Sequence, residues 1–225
     1  MTARILSGKE IAEAIKREVS EEVGKIEEKY GFRPCLAVVR VGEDPASAVY
    51  VGSKVKTAEE LGIISEHHHF AAEITHEELL NVVKELNARD EVDGILVQLP
   101  LPPQIDEREI LEAIDPEKDV DGFHPVNVGR LSQGQKTLAP CTPAGVIEIL
   151  KRSDIKISGE HAVVIGRSNI VGKPMAMLLL QENATVTVCH SRTKNLAEIT
   201  SQADILVAAI GRAGFVRGEH IREGA

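Results

Sequence analysis

Val163-Val164-Ile165-Gly166-Arg167-Ser168-Asn169-Ile170-Val171-Gly172-Lys173-Pro174 is the stretch whose reading decides the fold. An apolar, β-branched run reaches a glycine, a polar loop follows, and a second glycine opens an apolar segment continuing to Leu180. A strand that passes through a glycine-bounded loop into a helix turns free backbone N–H groups toward a phosphate. A Walker A loop has four residues between its glycines and then Lys-Ser or Lys-Thr; here five intervene, and Pro174 occupies the position of the magnesium-binding hydroxyl. That excludes an NTPase. The dinucleotide pattern fits better, although Ser168 holds its middle glycine position.

Reading outward toward the C-terminus, the loop is preceded by a strand over Ala162–Ile165 and followed by a helix over Gly172–Leu180. A strand over Thr185–Cys189, a helix over Leu196–Ala203 and a strand over Ile205–Ile210 come next. Such alternation predicts a parallel, doubly wound sheet. The second strand of such a domain sets the choice of dinucleotide, because a carboxylate at its end binds a ribose 2′-hydroxyl and repels a 2′-phosphate. Here it ends in Cys189-His190-Ser191-Arg192, with no carboxylate and with Arg167 in the preceding loop, which favours NADP over NAD. Arg192 alone would also suit a solvated surface cation.

Toward the N-terminus the same alternation recurs. Ile11, Ile15, Val19, Val23 and Ile26 recur at helical spacing, and Ser7 with Glu10 reads as a capping box, so the first helix needs something to lie on. Cys35–Val41 reads as a buried strand ending at Gly42. A helix then starts at Asp44-Pro45 and stops at Gly62. An edge strand over Ile64–Phe70, a helix capped by Thr75 and Glu78, a buried strand over Gly94–Leu99 and a helix over Glu107–Ile114 complete the series. Residues 115–141 read as a long irregular crossing, and Thr142-Pro143 starts a helix to about Lys151, close to a domain boundary. The expected architecture is therefore α/β with two domains, at 1–140 and 141–225.

Composition narrows the class. The 225 residues carry 26 basic and 35 acidic side chains, a net charge of −9, with 43% hydrophobic and 3% aromatic residues. That balance disfavours nucleic acid and anionic membrane as partners, and the scarcity of aromatic residues removes stacking platforms. No apolar run approaches the length of a membrane helix. Cys35, Cys141 and Cys189 are odd in number and far apart, which points to a reducing compartment, and Met1–Ile11 lacks the apolar core of a secretion signal, so the expected location is cytoplasmic.

Candidate chemistry in the N-terminal half centres on Tyr50 and Lys54, at i and i+4 on the helix after the first strand. By spacing alone they read as part of an exposed polar face. Their position beyond the carboxyl end of a strand, where open α/β sheets bind ligands, favours a site. Gln98, at the end of another strand on the same edge, could orient the amine, and a desolvated Lys can act as a base. Asp115-Pro116-Glu117-Lys118-Asp119-Val120-Asp121-Gly122-Phe123 lacks EF-hand spacing; it reads as a solvated turn, or as a loop whose Asp121 grips the donor edge of a heterocycle. His67-His68-His69 reads as edge-strand surface, since only His67 and His69 share a face and no third metal ligand lies nearby. Cys141 has no evident His partner and reads as structural.

Five motifs, in order along essentially the whole chain, carry a resemblance. They are Tyr50-Val51-Gly52-Ser53-Lys54, Val97-Gln98-Leu99-Pro100-Leu101-Pro102, Lys118-Asp119-Val120-Asp121-Gly122-Phe123, Pro140-Cys141-Thr142-Pro143 and Gly166 through Pro174. Together they resemble the family of bifunctional methylenetetrahydrofolate dehydrogenase/cyclohydrolases (FolD). The resemblance implies a folate-binding catalytic domain, an NADP-binding Rossmann domain and assembly as a homodimer. It implies oxidation of 5,10-methylenetetrahydrofolate to the methenyl compound, then hydrolysis to 10-formyltetrahydrofolate, in one-carbon metabolism that feeds purine biosynthesis.

By motif match, Lys54 is the acid/base, Gln98 orients it, Tyr50 packs on the folate's aromatic portion and Asp121 holds the pterin, with Leu99 and Pro100 beside the substrate. Gly166, Arg167, Ser168 and Gly172 cradle the dinucleotide, with Ser191 and Arg192 at the 2′-phosphate, and no metal is required. Family members normally continue beyond the Gly224-Ala225 equivalent with a strand, a glycine-rich loop and a helix. Two alternative expectations are therefore a truncated, non-catalytic folate-binding chain and an NADP-dependent dehydrogenase of another small substrate.

Overall fold

A computed structural model of the protein describes residues 3–225. The reading of Met1–Ile11 falls partly on Met1 and Thr2, which lie outside the described residues. The chain forms two compact units, Ser7–Pro125 and Val126–Ala225, the second including the segment up to Leu6. Each is built around a three-stranded parallel sheet, so the fold is α/β with parallel sheets in both halves.

The first unit contains α1 (Gly8–Tyr30), β1 (Cys35–Val41), α2 (Pro45–Glu60), β2 (Ile64–Phe70), α3 (His76–Ala88), β3 (Gly94–Val97) and α4 (Glu107–Ala113). Its strand order is β2-β1-β3, which puts β2 at an edge as its mixed sequence predicts. Side chains alternate across β1. Ala37, Val39 and Val41 face Leu79, Val83 and Ile110 of α3 and α4, while Val38 faces Val51 of α2 beside Leu96 of β3. Burying both faces explains the near-continuous apolar strands.

Arg40 interrupts that apolar run. It is only 7% exposed, with Nη2 2.9 Å from His69 Nε2 of the neighbouring strand, so the buried strand carries one charged residue within it. The stripe on α1 is also less covered than its periodicity predicts. Val23 is buried, and Ile11, Ile15, Val19 and Ile26 are half-buried. At its start the Ser7 hydroxyl accepts from the Glu10 N–H at 3.4 Å, only one half of the expected box. Thr75 and Glu78 complete the reciprocal pair on α3.

The second unit contains α5 (Pro125–Ser132, continuing from the first), α6 (Cys141–Arg152), β4 (His161–Ile165), α7 (Gly172–Gln181), β5 (Thr185–Cys189), α8 (Leu196–Thr200) and β6 (Ile205–Ala208). Its strand order is β5-β4-β6. Ala162 and Val164 of β4 pack against Ile147, Met175 and Leu179 of α6 and α7, and Val163 packs on the other face with Cys189 and Ala203. Cys35 and Cys189 are buried and unbridged, while Cys141 is exposed and unbridged.

Several boundaries differ from expectation; β6, for one, ends at Ala208 and not at Ile210. The stretch 115–141 holds a helix, α5, anchored by the buried Asn127, whose Oδ1 accepts from Thr137 at 3.0 Å; Leu131 O also accepts from Gln181 of α7. β3 ends at Val97 because Pro100, Pro102 and Pro103 cannot donate, although the Gln98 N–H still reaches Val39 O at 2.8 Å. α8 stops at Thr200, three residues before Ala203, where the chain turns so that Asp204 can accept from the His161 N–H at 2.9 Å. Among the described residues, no helix is long and apolar enough to cross a membrane.

Candidate active site

Strand alternation builds the N-terminal site. Leu96 of β3 faces α2, so Gln98, two residues on, faces the same way at the carboxyl edge of the sheet. Val51 and Val55 bury the inner stripe of α2, and Tyr50 and Lys54 flank that stripe one turn apart. The helix starts where it does because the Asp44 carboxylate accepts from the Ser47 N–H at 2.7 Å and Pro45 needs no partner.

Three of the predicted residues therefore meet. Lys54 Nζ donates to Gln98 Oε1 at 3.3 Å and lies 4.6 Å from the centre of the Tyr50 ring. Gln98 spends its own amide hydrogen on Leu99 O at 2.6 Å, which fixes the side-chain orientation and leaves Oε1 for the amine. Tyr50 is 60% exposed, an open aromatic face, while Lys54 is half-buried. Leu99 is half-buried and Pro100 exposed on the segment that continues from Gln98.

Asp121 joins this group through a segment that runs alongside β3. Ile95 N–H donates to Lys118 O at 2.7 Å, a parallel bridge links Ile95 with Asp119, and Val120 packs in the α2 layer. Burial pushes the Asp121 carboxyl above the usual carboxylate range, and Asp119 adds to that rise; the Lys54 ammonium opposes it. A carboxyl answering to the Lys54 charge belongs to the same electrostatic site. Sequence reasoning overlooked Asp119, which is 2% exposed, although Asp-x-x-Gly is the signal of a side chain capping its own turn.

The second unit presents a loop built from backbone. Gly166 sits at φ +124°, and a Cβ there would run into Ala209 O; a Cβ on Gly172 would overlap the Gly166 carbonyl and the Arg167 nitrogen. Both glycines are needed for the loop to fold onto the start of α7. The Ser168 hydroxyl accepts from the Val171 and Gly172 N–H groups at 3.2 Å each, doing locally what a glycine would leave to a ligand. Arg167, Ser168, Ser191 and Arg192 are exposed at the carboxyl ends of β4 and β5. The turn after β5 is held by the His190 N–H to Thr193 Oγ1 at 2.8 Å and by the Arg192 N–H to His190 Nδ1 at 3.2 Å. Two exposed guanidiniums, a hydroxyl and no carboxylate at this edge fit a dianionic phosphate.

His67 and His69 share a face with rings stacked 6.0 Å apart, but Arg40 occupies His69, and no metal-binding cluster exists among the described residues. Cys141 opens α6.

Residues 6–121 match the model of the tetrahydrofolate dehydrogenase/cyclohydrolase catalytic domain, and residues 140–225 match that of its NAD(P)-binding domain. The chain belongs to the tetrahydrofolate dehydrogenase/cyclohydrolase family. It is 56% identical to the bifunctional protein FolD of Dehalococcoides mccartyi strain CBDB1, over all of this chain and 77% of that protein. The bifunctional FolD of Campylobacter jejuni superimposes with a TM-score of 0.94 at 48% identity, over 97% of this chain and 77% of that one. The FolD of Trypanosoma brucei, crystallised with NADP and an inhibitor, gives a TM-score of 0.92 at 42% identity, over 99% of this chain and 77% of that one.

Proposed function

We infer that this chain carries both activities of its family: NADP-dependent oxidation of 5,10-methylenetetrahydrofolate to the methenyl compound, and hydrolysis of that compound to 10-formyltetrahydrofolate. The observation that carries the reading is the Lys54–Gln98–Tyr50 cluster with Asp121 beside it. When bound, NADP supplies the hydride acceptor. Gly166, Arg167, Ser168 and Gly172 would hold its phosphates, with Ser191 and Arg192 at the 2′-phosphate.

The chain's own residues do the rest. Tyr50 offers its exposed ring face to the aromatic portion of the folate, and Asp121 accepts from the donor edge of the pterin, with Leu99 and Pro100 lining the substrate's path past Gln98. In the hydrolytic step water adds to the methenyl carbon and both of its protons leave the oxygen, one ending on the ring nitrogen freed when a carbon–nitrogen bond opens and one released to solvent as the cation is neutralised, which gives the formyl product. Lys54 Nζ is the group that takes and returns the proton, and Gln98 Oε1 keeps the amine aimed while Tyr50 shields one side of it.

Residues 1–140 are assigned to folate chemistry and 141–225 to the cofactor, a partition supported by the separate matches to the two domain models. The reading includes a homodimer in the cytoplasm without nucleic acid or membrane partners; the net charge of −9 supports the last two. The deciding experiment is NADP reduction by the purified chain with 5,10-methylenetetrahydrofolate, followed by methenyl hydrolysis in the same sample, with sedimentation giving the assembly state. Turnover in both steps is expected. A folded chain silent in both, or one reducing NADP only with another substrate, would overturn the assignment.

A further inference from the structure

We propose that Asp119, and not only Asp121, determines how tightly this site holds its substrate, as a positioning residue that fixes the 118–124 turn and places a second negative charge behind Asp121. The proposal rests on the reading of Tyr50, Lys54, Gln98 and Asp121 given above.

Asp119 is 2% exposed, and a carboxylate so deeply buried is costly unless its oxygens are used. Both are used within its own turn. Oδ1 accepts from the Gly122 N–H at 3.1 Å and Oδ2 from the His124 N–H at 2.8 Å, so the carboxylate ties down the first and third peptides after Asp121 and sets the backbone on its far side. The near side is pinned independently. Lys118 Nζ donates to the carbonyls of Asn87 and Arg89, at 2.9 and 2.7 Å, where α3 ends, and Lys118 O accepts from Ile95 of β3. Asp121 therefore sits between two anchors, one on a helix end and sheet edge, the other made by Asp119, with Gly122 at φ +67° completing the turn.

Asp119 acts on Asp121 through charge as well. The charged groups that bear on Asp121 are Lys54 from α2, which favours its ionised form, and Asp119 on its own segment, which favours the protonated form. A carboxylate whose proton affinity is raised accepts more strongly from the N–H groups of a heterocycle. Removing the Asp119 charge would weaken that grip and lower the pH at which Asp121 titrates.

The test is Asp119→Asn in the full chain, which keeps the shape but turns an amide donor toward one of the two N–H groups. The expected result is a KM for 5,10-methylenetetrahydrofolate raised roughly tenfold with a smaller change in kcat, as for one lost charge-assisted hydrogen bond. The acid limb of kcat/KM is expected to move to lower pH. A purely structural Asp119 would instead lower melting temperature and active fraction, leaving KM and the acid limb of the surviving enzyme as in the parent, and that result overturns the proposal. Asp119→Ser guards against misfolding of the first variant. It retains one acceptor for the Gly122 N–H and lacks the charge, so it should show the same limb displacement; a folded Ser variant with parental KM and limb also overturns the idea. Asp121→Asn separates this failure from failure of the site itself. If Asp121→Asn raises KM and removes the limb while Asp119→Asn does neither, only the positioning role is lost; if Asp121→Asn changes nothing, the reading of the site is lost.

Discussion

The two units use the same parallel-sheet geometry to build sites of opposite kinds. At the edge of β2-β1-β3 the working groups are side chains, Lys54, Gln98 and Asp121, each carried by a segment that also contributes to one apolar layer, Val51 of α2, Leu96 of β3 and Val120 beside Asp121. At the edge of β5-β4-β6 the working element is backbone, a loop made possible by Gly166 and Gly172, surrounded by exposed cations. A proton-transfer site needs one atom held to within a hydrogen-bond length, which takes packing from several directions. A phosphate site needs N–H groups and charge, which one strand, one loop and one helix end provide.

That contrast can be broken most forcefully at Lys54. Lys54→Met is expected to lower methenyl hydrolysis by roughly two to four orders of magnitude, the usual contribution of a positioned acid or base. NADP affinity should stay unchanged when measured by fluorescence titration, and unchanged hydrolysis would remove Lys54 from the site. Gly172→Ala tests the other unit. With its Cβ against Gly166 backbone the loop must open, so NADP binding should fall sharply while hydrolysis of the methenyl compound, which uses no dinucleotide, survives in the folded variant.

A milder change sharpens the comparison. Arg192→Ala should raise KM for NADP about tenfold and leave KM for NAD nearly untouched, since an exposed guanidinium meets only the 2′-phosphate. Equal effects on both would make Arg192 a surface cation.

The smallest effect concerns stability and involves neither site. Glu66 is held by two 2.7 Å bonds from Arg89, and that pairing lowers its carboxyl from 4.5 to about 2. A folded-state value below the unfolded one stabilises the fold above about pH 4.5, and this contribution is lost as pH falls toward 2. Partial solvent exposure limits it to about 1–2 kcal/mol. Arg89→Met should therefore flatten the acid side of the melting-temperature profile between those values and change little at pH 7 beyond the same loss.

Much of the fold was legible because strands covered on both faces must be apolar and helix starts must be capped. Cys35–Val41, Ile64–Phe70 and Thr185–Cys189 begin and end where the sequence predicts. The helix at Pro125–Ser132 escaped notice because its stability comes from contacts remote in sequence, Asn127 with Thr137 and Leu131 with Gln181. Arg40 is a similar case. Its burial depends on a histidine 29 residues away on the next strand.

The sites divide in the same way. The glycine spacing of 166–172, the missing carboxylate after β5 and the i, i+4 placement of Tyr50 and Lys54 are local, and local chemistry is written in order along the chain. That Gln98 rather than another polar group reaches Lys54, that Asp121 answers to the Lys54 charge, and that a buried Asp119 braces the turn between them required the tertiary structure. These groups are 44 or more residues apart along the chain or are distinguished by burial alone. Only the pairing of β1 with β3 and the packing of α2 across them sets which side chains share a face.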